Sequence, residues 1–207
     1  MKYVSLDLET TCLEPREPKN ILGISMILED TEKPDIPVTQ LPCFTCIVGH
    51  ERCEGTPYAL ALNAWIFMEI DKWQKGKQTK YPVYHPLNAT SNIQWLAGLN
   101  GMYPEGTWLA AAMKWLDFHF GTDRINVAGK NVAGFDMQFL PPMLQQRFRS
   151  RVIDAGSVGV DWTQRTLPSL SDLKIRAGLG GVVSHDMWED AMDVISYLRT
   201  TYPPKRV

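Results

Sequence analysis

The chain has 207 residues, of which 44% are hydrophobic, so it is long enough to bury the core of one sizeable domain. Its formal net charge of −2 excludes a strongly basic protein that coats long duplexes by charge alone. The N-terminus runs into a strand pattern without a signal peptide, and no apolar run reaches the length of a membrane span. We therefore expect a cytoplasmic protein without a membrane segment.

The first strand pattern carries two neighbouring acidic side chains. Apolar and polar residues alternate from residue 4 to residue 9, which predicts a strand. Asp7 and Glu9 are two positions apart, so their side chains lie on the same face. Two adjacent carboxylates repel each other, and a divalent cation is the simplest compensation. An edge strand with one solvated face is the alternative interpretation of this pattern.

Two further strand patterns follow the first, at residues 21–28 and 41–48, and short polar connections join all three. Short connections favour an antiparallel meander. Thr56 and Pro57 then begin a helix, because proline suits the first helical position, and apolar residues recur at helical spacing to about Trp73.

A long segment at about 74–106 is the hardest part of the chain to interpret. It carries Tyr81, Tyr84, Trp95 and Tyr103 among prolines, glycines and asparagines, and it is long for a simple connection. Such an insert commonly forms a lid or the rim of a substrate site, or it packs against the flank of the domain.

The second half of the chain alternates helix and strand patterns. The helices are predicted at residues 107–120, 135–147, 170–177 and 186–202, with Pro141 and Pro142 disturbing the second of them. The strands are predicted at residues 124–128 and 151–153. Together with the meander, this order predicts an α/β fold with a mixed five-stranded sheet, three strands antiparallel and then two parallel. We expect one domain over residues 1–207, with helices on both faces of its sheet.

Three cysteines and a histidine lie close together in the sequence, at Cys43, Cys46, His50 and Cys53. These residue types can bind a structural zinc ion. However, Phe44, Cys46 and Val48 alternate like one face of a strand, where a reduced cysteine acts as a small hydrophobic residue. Both interpretations remain open from the sequence.

The start of the last helix has an unusual polar pattern. Asp186 and Glu189 fit a capping box, with Asp186 as the N-cap. The residue before the cap and the fourth helical residue then approach each other, as in a hydrophobic staple. These two residues are His185 and Asp190, a polar pair that indicates a functional site. A fourth carboxylate, Asp136, follows a glycine-bracketed loop near the start of another helix.

These residues belong to three motifs that resemble those of the DEDDh 3′–5′ exonucleases, a DnaQ-like family with an RNase H-like fold. The motifs are Ser-Leu-Asp-Leu-Glu-Thr-Thr at 5–11, Gly-Lys-Asn-Val-Ala-Gly-Phe-Asp at 129–136, and His-Asp-Met-Trp-Glu-Asp-Ala at 185–191. His185 lies five residues before Asp190, as in that subgroup. One departure is Cys12, where many relatives carry glycine.

The resemblance implies a role for each motif residue. Two divalent ions, Mg²⁺ or Mn²⁺, would be bound by Asp7, Glu9, Asp136 and Asp190. His185 would be the general base that takes a proton from the attacking water. Thr10, Leu13 and Asn131 would contact the 3′ end of the substrate or brace the site, with Leu13 as a wedge against the terminal base.

The implied function is a metal-dependent 3′–5′ exonuclease that releases nucleoside 5′-monophosphates from single-stranded DNA or RNA. Because the chain is not strongly basic, short oligonucleotides or tails are more natural substrates than long duplexes. The alternative is a non-catalytic nucleic-acid-binding module on the same fold, although such a module is expected to lose some of the acidic residues. Several relatives are dimers, so a homodimer is a further expectation.

Overall fold

The computed structural model describes residues 1–15, 21–86 and 106–201. A six-stranded sheet in the order β4-β3-β2-β1-β5-β6 runs through this part of the chain. Its strands are β1 (Lys2–Thr10), β2 (Ile21–Asp30), β3 (Cys43–Val48), β4 (Val83–Tyr84), β5 (Asn126–Gly129) and β6 (Ile153–Asp154). The first three strands are antiparallel, and β5 and β6 run parallel to β1. The predicted mixed α/β sheet is therefore confirmed.

The predicted number of five strands is wrong because the chain adds β4, which pairs in parallel with β3. This strand has only two residues, Val83 and Tyr84, and it lies within the long segment at 74–106. Two residues are too few to show alternation, so no local pattern predicted the strand. Within the same segment, Trp95 and Tyr103 lie outside the described residues.

Helices cover both faces of the sheet, as predicted. They are α1 (Pro57–Leu62), α2 (Ala64–Gln74), α3 (Trp108–Phe120), α4 (Asp136–Phe139), α5 (Pro142–Gln145), α6 (Ala155–Val158), α7 (Leu170–Arg176) and α8 (Met187–Thr201), with a 3₁₀ turn at Val38–Gln40. Helix α3 packs with Val4, Leu6 and Leu8 in one core. Helix α8 packs in a second core that contains Tyr3. The alternate side chains of β1 therefore face different helices, and Asp7 and Glu9 share the α8 face with Tyr3.

Two predicted helices are each divided in the structure. The helix predicted from residue 57 to about 73 breaks at Asn63, whose side chain is buried and donates from Nδ2 to the carbonyl of Thr10 at 3.0 Å. The helix predicted at 135–147 breaks after Phe139, where Leu140 is extended (ψ 141°) because Pro141 disfavours the helical conformation of the residue before it. No helix among residues 1–15, 21–86 and 106–201 is both long and apolar enough to cross a membrane.

Candidate active site

Three of the carboxylates come together between β1 and α8. One oxygen from each of Asp7, Glu9 and Asp190 can be chosen so that all lie within 4.8 Å of one another. The adjoining part of α8 is fixed to β1 because the buried hydroxyl of Ser5 donates to the carbonyl of Ala191 at 2.8 Å. A strand and a helix that are distant in sequence thus place their acidic side chains at one point.

Asp136 lies beside this group but not within it. As the first residue of α4, it is buried, and its Oδ1 accepts a hydrogen bond from the backbone N–H of Leu8 at 3.0 Å. The structure therefore holds the Asp136 carboxylate against the backbone between Asp7 and Glu9. Its negative charge also raises the pKa of Asp7.

The pKa values of all four carboxyl groups are raised, because the site disfavours their negative charges. Burial, followed by the charges of Asp136, Glu9 and Asp190, raises the pKa of Asp7 well above its usual range. Burial and then the charge of Asp190 raise the pKa of Glu9 to about 8, although a hydrogen bond from Asn63 offsets part of this rise. Burial raises the pKa values of Asp136 and Asp190 to about 7 each.

A divalent cation fits this set of donors. Carboxylate oxygens are the ligands that Mg²⁺ and Mn²⁺ prefer, and a positive charge would favour the ionised form of each group. The buried Oδ1 of Asp190 has no hydrogen-bond partner in the described part of the chain, which is costly for a carboxylate unless a cation satisfies it. The residues present therefore fit a divalent-metal centre.

His185 lies in the loop before α8, immediately before Asp186. Its side chain is exposed and is not part of the carboxylate group, and its backbone has a positive φ of 53°. The carboxylate of Asp186 accepts from the backbone N–H groups of Trp188 and Glu189 at 3.0 and 3.3 Å. Asp186 thus caps α8 as the sequence predicts.

The three predicted substrate contacts lie in different environments. The side chain of Leu13 is 66% exposed, which leaves it accessible to a ligand. Thr10 is buried, and its hydroxyl donates to the carbonyl of Cys12 at 2.8 Å, so the hydroxyl is already engaged within the chain. Asn131 is exposed with a positive φ of 58°, and its N–H donates to Asp154 at 2.5 Å. Cys12 itself has no positive φ, so the turn at this position does not require a glycine.

The possible zinc ligands do not converge. Cys46 is fully buried in the core with α3, whereas Cys43 is exposed. Cys53 is half-buried against a separate apolar cluster, and the buried His50 has its Nε2 2.7 Å from the carbonyl of Ile21. Among the described residues, Asp7, Glu9 and Asp190 form the group suited to a metal ion. The geometry therefore favours the strand interpretation of Cys46.

The structure adds residues that the sequence pattern did not indicate. Asn63 connects the α1–α2 break to Thr10 and to Glu9. Lys80 and Tyr81 both contact the carboxylate of Asp186, and the indole of Trp65 donates to the carbonyl of His185. Asn63 and Trp65 lie within the single helix that the sequence predicts, and Lys80 and Tyr81 lie in the segment at 74–106. No local pattern in the sequence therefore indicated these contacts.

No protein-family model matches the sequence, and no curated protein is significantly similar to it. Solved structures of exonuclease I are similar in fold. The enzyme of Methylocaldum szegediense is 13% identical with a TM-score of 0.56, and the match covers 99% of this chain and 41% of that one. A zinc-bound E. coli exonuclease I complex with single-stranded DNA is 14% identical with a TM-score of 0.54 and the same coverage. This chain thus spans 41% of the length of these neighbours, and the likeness shows an RNase H-like fold.

Proposed function

We propose that the protein is a metal-dependent 3′–5′ exonuclease of the DEDDh type that acts on single-stranded DNA or RNA. The observation that carries the proposal is the buried carboxylate group of Asp7, Glu9 and Asp190, with Asp136 fixed beside it. The fold shared with exonuclease I, whose structures include complexes with single-stranded oligonucleotides, supports the same reaction class. Nucleoside 5′-monophosphates are the expected products.

The four carboxylates would hold two divalent cations, Mg²⁺ or Mn²⁺. When bound, such ions supply activation of the attacking water and stabilisation of the leaving 3′ oxygen. The protein contributes a site where Asp190 lies on α8, Asp136 on α4 and the other two acids on β1. Because most of this group is buried, few water molecules would compete with the substrate phosphate for the bound cations.

His185 is the proposed general base of the reaction. Its imidazole is exposed on the turn that precedes α8, so it is accessible to a substrate and to water. The imidazole ring of a histidine has a basic nitrogen that can accept a proton from the attacking water. We assign the exposed Leu13 as the apolar contact to the terminal base, and Thr10 and Asn131 as residues that brace the site around the 3′ end.

The proposal also covers the length of the substrate and the organisation of the protein. The net charge of −2 favours short oligonucleotides or single-stranded tails over long duplexes. We interpret residues 1–207 as one catalytic domain with an insert at about 74–106, in which Val83 and Tyr84 form the edge strand β4. A homodimer in the cytoplasm remains a prediction.

The metal requirement can be tested with 5′-labelled single-stranded DNA and RNA of matched sequence. We expect both Mg²⁺ and Mn²⁺ to support shortening of at least one oligonucleotide, and EDTA to stop it. An Asp7→Ala variant should lose this cleavage and keep its fold, as judged by circular dichroism. Equal cleavage by Asp7→Ala and the unmodified protein would overturn the proposal. Binding of the oligonucleotide in EDTA, with no shortening under any metal condition, would instead identify a non-catalytic binding module.

A further inference from the structure

The carboxylate of Asp186 is the centre of a network beyond the proposed metal ligands. It accepts a hydrogen bond from the hydroxyl of Tyr81 at 2.9 Å and forms an ion pair with Nζ of Lys80 at 2.8 Å. The same carboxylate also caps α8, and its side chain is 7% exposed. A buried carboxylate with this many partners has little freedom to move.

Trp65 attaches His185, the residue before Asp186, to α2. Its indole Nε1 donates to the backbone carbonyl of His185 at 3.2 Å. The ring of Trp65 meets that of Tyr81 edge to face, with their centroids 6.2 Å apart, and Nζ of Lys80 lies 5.6 Å from the Trp65 centroid and 5.2 Å from the Tyr81 centroid. These contacts are close enough for cation–π attraction, so the three side chains support one another. We call Trp65, Lys80 and Tyr81 the clamp.

The clamp is itself attached to the body of the domain. The backbone N–H of Lys80 donates to Oε2 of Glu69 at 2.5 Å, and Glu69 is a buried residue of α2. Trp65 lies on the same helix. The turn formed by His185 and Asp186 is therefore held from α2 and from the chain just beyond it.

The turn needs such support because of its backbone conformation. His185 has a φ of 53°, a left-handed conformation that is strained for a residue with a Cβ atom. Neighbouring contacts must offset this strain if the turn is to keep one shape. Trp65 donates to the carbonyl of His185, and Lys80 and Tyr81 supply side-chain contacts to the carboxylate of Asp186.

We propose that Trp65, Lys80 and Tyr81 are positioning residues that hold the His185–Asp186 turn and thereby direct the imidazole toward the carboxylate group. The inference rests on the proposed function for the role of His185. The clamp residues are not assigned to the reacting atoms. They act through the backbone of the turn, and their loss should lower the rate of the chemical step more than the affinity for substrate.

The test compares variants that each remove one clamp contact with matched controls on the surface. Tyr81→Phe removes the hydroxyl, and Lys80→Met removes the ammonium group. Tyr58→Phe and Lys75→Met are the matched controls, because Tyr58 is 66% exposed and Lys75 pairs with the exposed Asp71 on α2. Lys80→Arg keeps the positive charge and is the rescue variant.

The first readout uses protein in EDTA without substrate. Hydrogen exchange of the Trp188 and Glu189 amides, whose acceptor is Asp186, should be about fivefold faster in Tyr81→Phe and Lys80→Met than in the controls. Lys80→Arg should exchange at nearly the rate of the unmodified protein. Unchanged exchange in both clamp variants would overturn the proposal that the clamp holds the turn. This result does not depend on catalysis.

The second readout is steady-state cleavage of a single-stranded oligonucleotide. We expect kcat to fall about tenfold in both clamp variants with little change in KM, since only the placement of the general base is affected. Faster exchange with an unchanged kcat in an active enzyme would overturn the positioning role and leave the proposed function intact. If the unmodified protein cleaves nothing, the proposed function fails and the positioning role fails with it, whereas the exchange data still decide whether the clamp holds the turn.

Discussion

The backbone N–H of Leu8 donates a 3.0 Å hydrogen bond to Oδ1 of Asp136. Leu8 lies between Asp7 and Glu9 in β1, so this single bond fixes the first residue of α4 against the strand that carries two other acidic side chains. The Asp136 carboxylate thus has a structural partner as well as its proposed metal-binding role. The two roles can be separated by substitution.

Asp136→Asn should keep the hydrogen bond to Leu8 and lose the negative charge. We expect cleavage to fall by about 100-fold or more, because a neutral amide is a poor ligand for a hard cation. Asp136→Ala should lose the same activity and also about 1–3 kcal/mol in free energy of unfolding, because the buried N–H of Leu8 is left without a partner. Urea unfolding in EDTA measures the stability difference. Asp123→Asn, at an exposed position, is the control, and activity in Asp136→Asn equal to that control would contradict the metal role.

The free energy of unfolding should depend on pH because several acidic side chains are crowded together in the site. The folded pKa values of Glu9, Asp136 and Asp190 are raised to about 8, 7 and 7, above their ordinary values of 4.5, 3.8 and 3.8. Between pH 4 and 8 the folded state therefore holds protons that the unfolded chain has released, so the free energy of unfolding falls as pH rises through this window.

In EDTA we accordingly expect the Tm to be about 5 °C or more lower at pH 8 than at pH 5. Asp190→Asn should reduce this drop, and Mg²⁺ or Mn²⁺ at pH 8 should raise the Tm of the unmodified protein because the cation binds the folded state. Thermal melts followed by circular dichroism provide the comparison. Identical pH profiles for Asp190→Asn and the unmodified protein would show that these carboxylates do not interact as described.

Removal of the His185 imidazole should affect the chemistry without affecting the fold. Glycine tolerates the positive φ of 53° at this position, so His185→Gly should unfold at nearly the same temperature. Loss of a general base should lower kcat by about 100-fold or more. Binding of Mn²⁺, measured by calorimetry, should be unchanged because the imidazole is outside the carboxylate group. His119→Gln is the control, and a kcat for His185→Gly equal to that control would exclude His185 as the base.

The cysteines should behave as ordinary residues of a strand. Cys46→Ser places a hydroxyl in the core and should cost about 1–3 kcal/mol, whereas Cys43→Ser at an exposed position should change stability by less than about 0.5 kcal/mol. Metal analysis of the purified protein and urea unfolding of both variants test this. Stoichiometric zinc, with equal losses for the two substitutions, would instead support a zinc site.

Local patterns predicted the features that depend on neighbouring residues. Strict alternation in β1 placed Asp7 and Glu9 on one face, and the cap at Asp186 followed from residue types within one turn of a helix. The order of strands and helices was sufficient for the fold class, because short connections restrict a chain to few arrangements. The convergence of Asp190 on β1 was inferred from the family resemblance and not from any local pattern.

The features that were missed depend on contacts between distant residues. Lys80 and Asp186 are separated by 106 positions, and no periodicity connects them. The break at Asn63 was hidden because its neighbours continue a helical apolar pattern, and the side chain turns inward to reach Thr10, 53 positions away. Strand β4 exists because Val83 pairs with Ile47, a contact made by the folded chain and not by local preference.

The direction of cleavage can be measured with one single-stranded oligonucleotide prepared in two forms, one labelled at its 5′ end and the other at its 3′ end. Each form is incubated with the protein in Mg²⁺ or Mn²⁺. We expect the 3′ label to be released as a mononucleotide from the earliest time points, while the 5′-labelled strand shortens through a ladder of single-nucleotide steps. Release of internal fragments from both substrates, or early release of the 5′ label, would contradict a 3′–5′ exonuclease. So would intact substrates in the presence of a folded, metal-saturated protein.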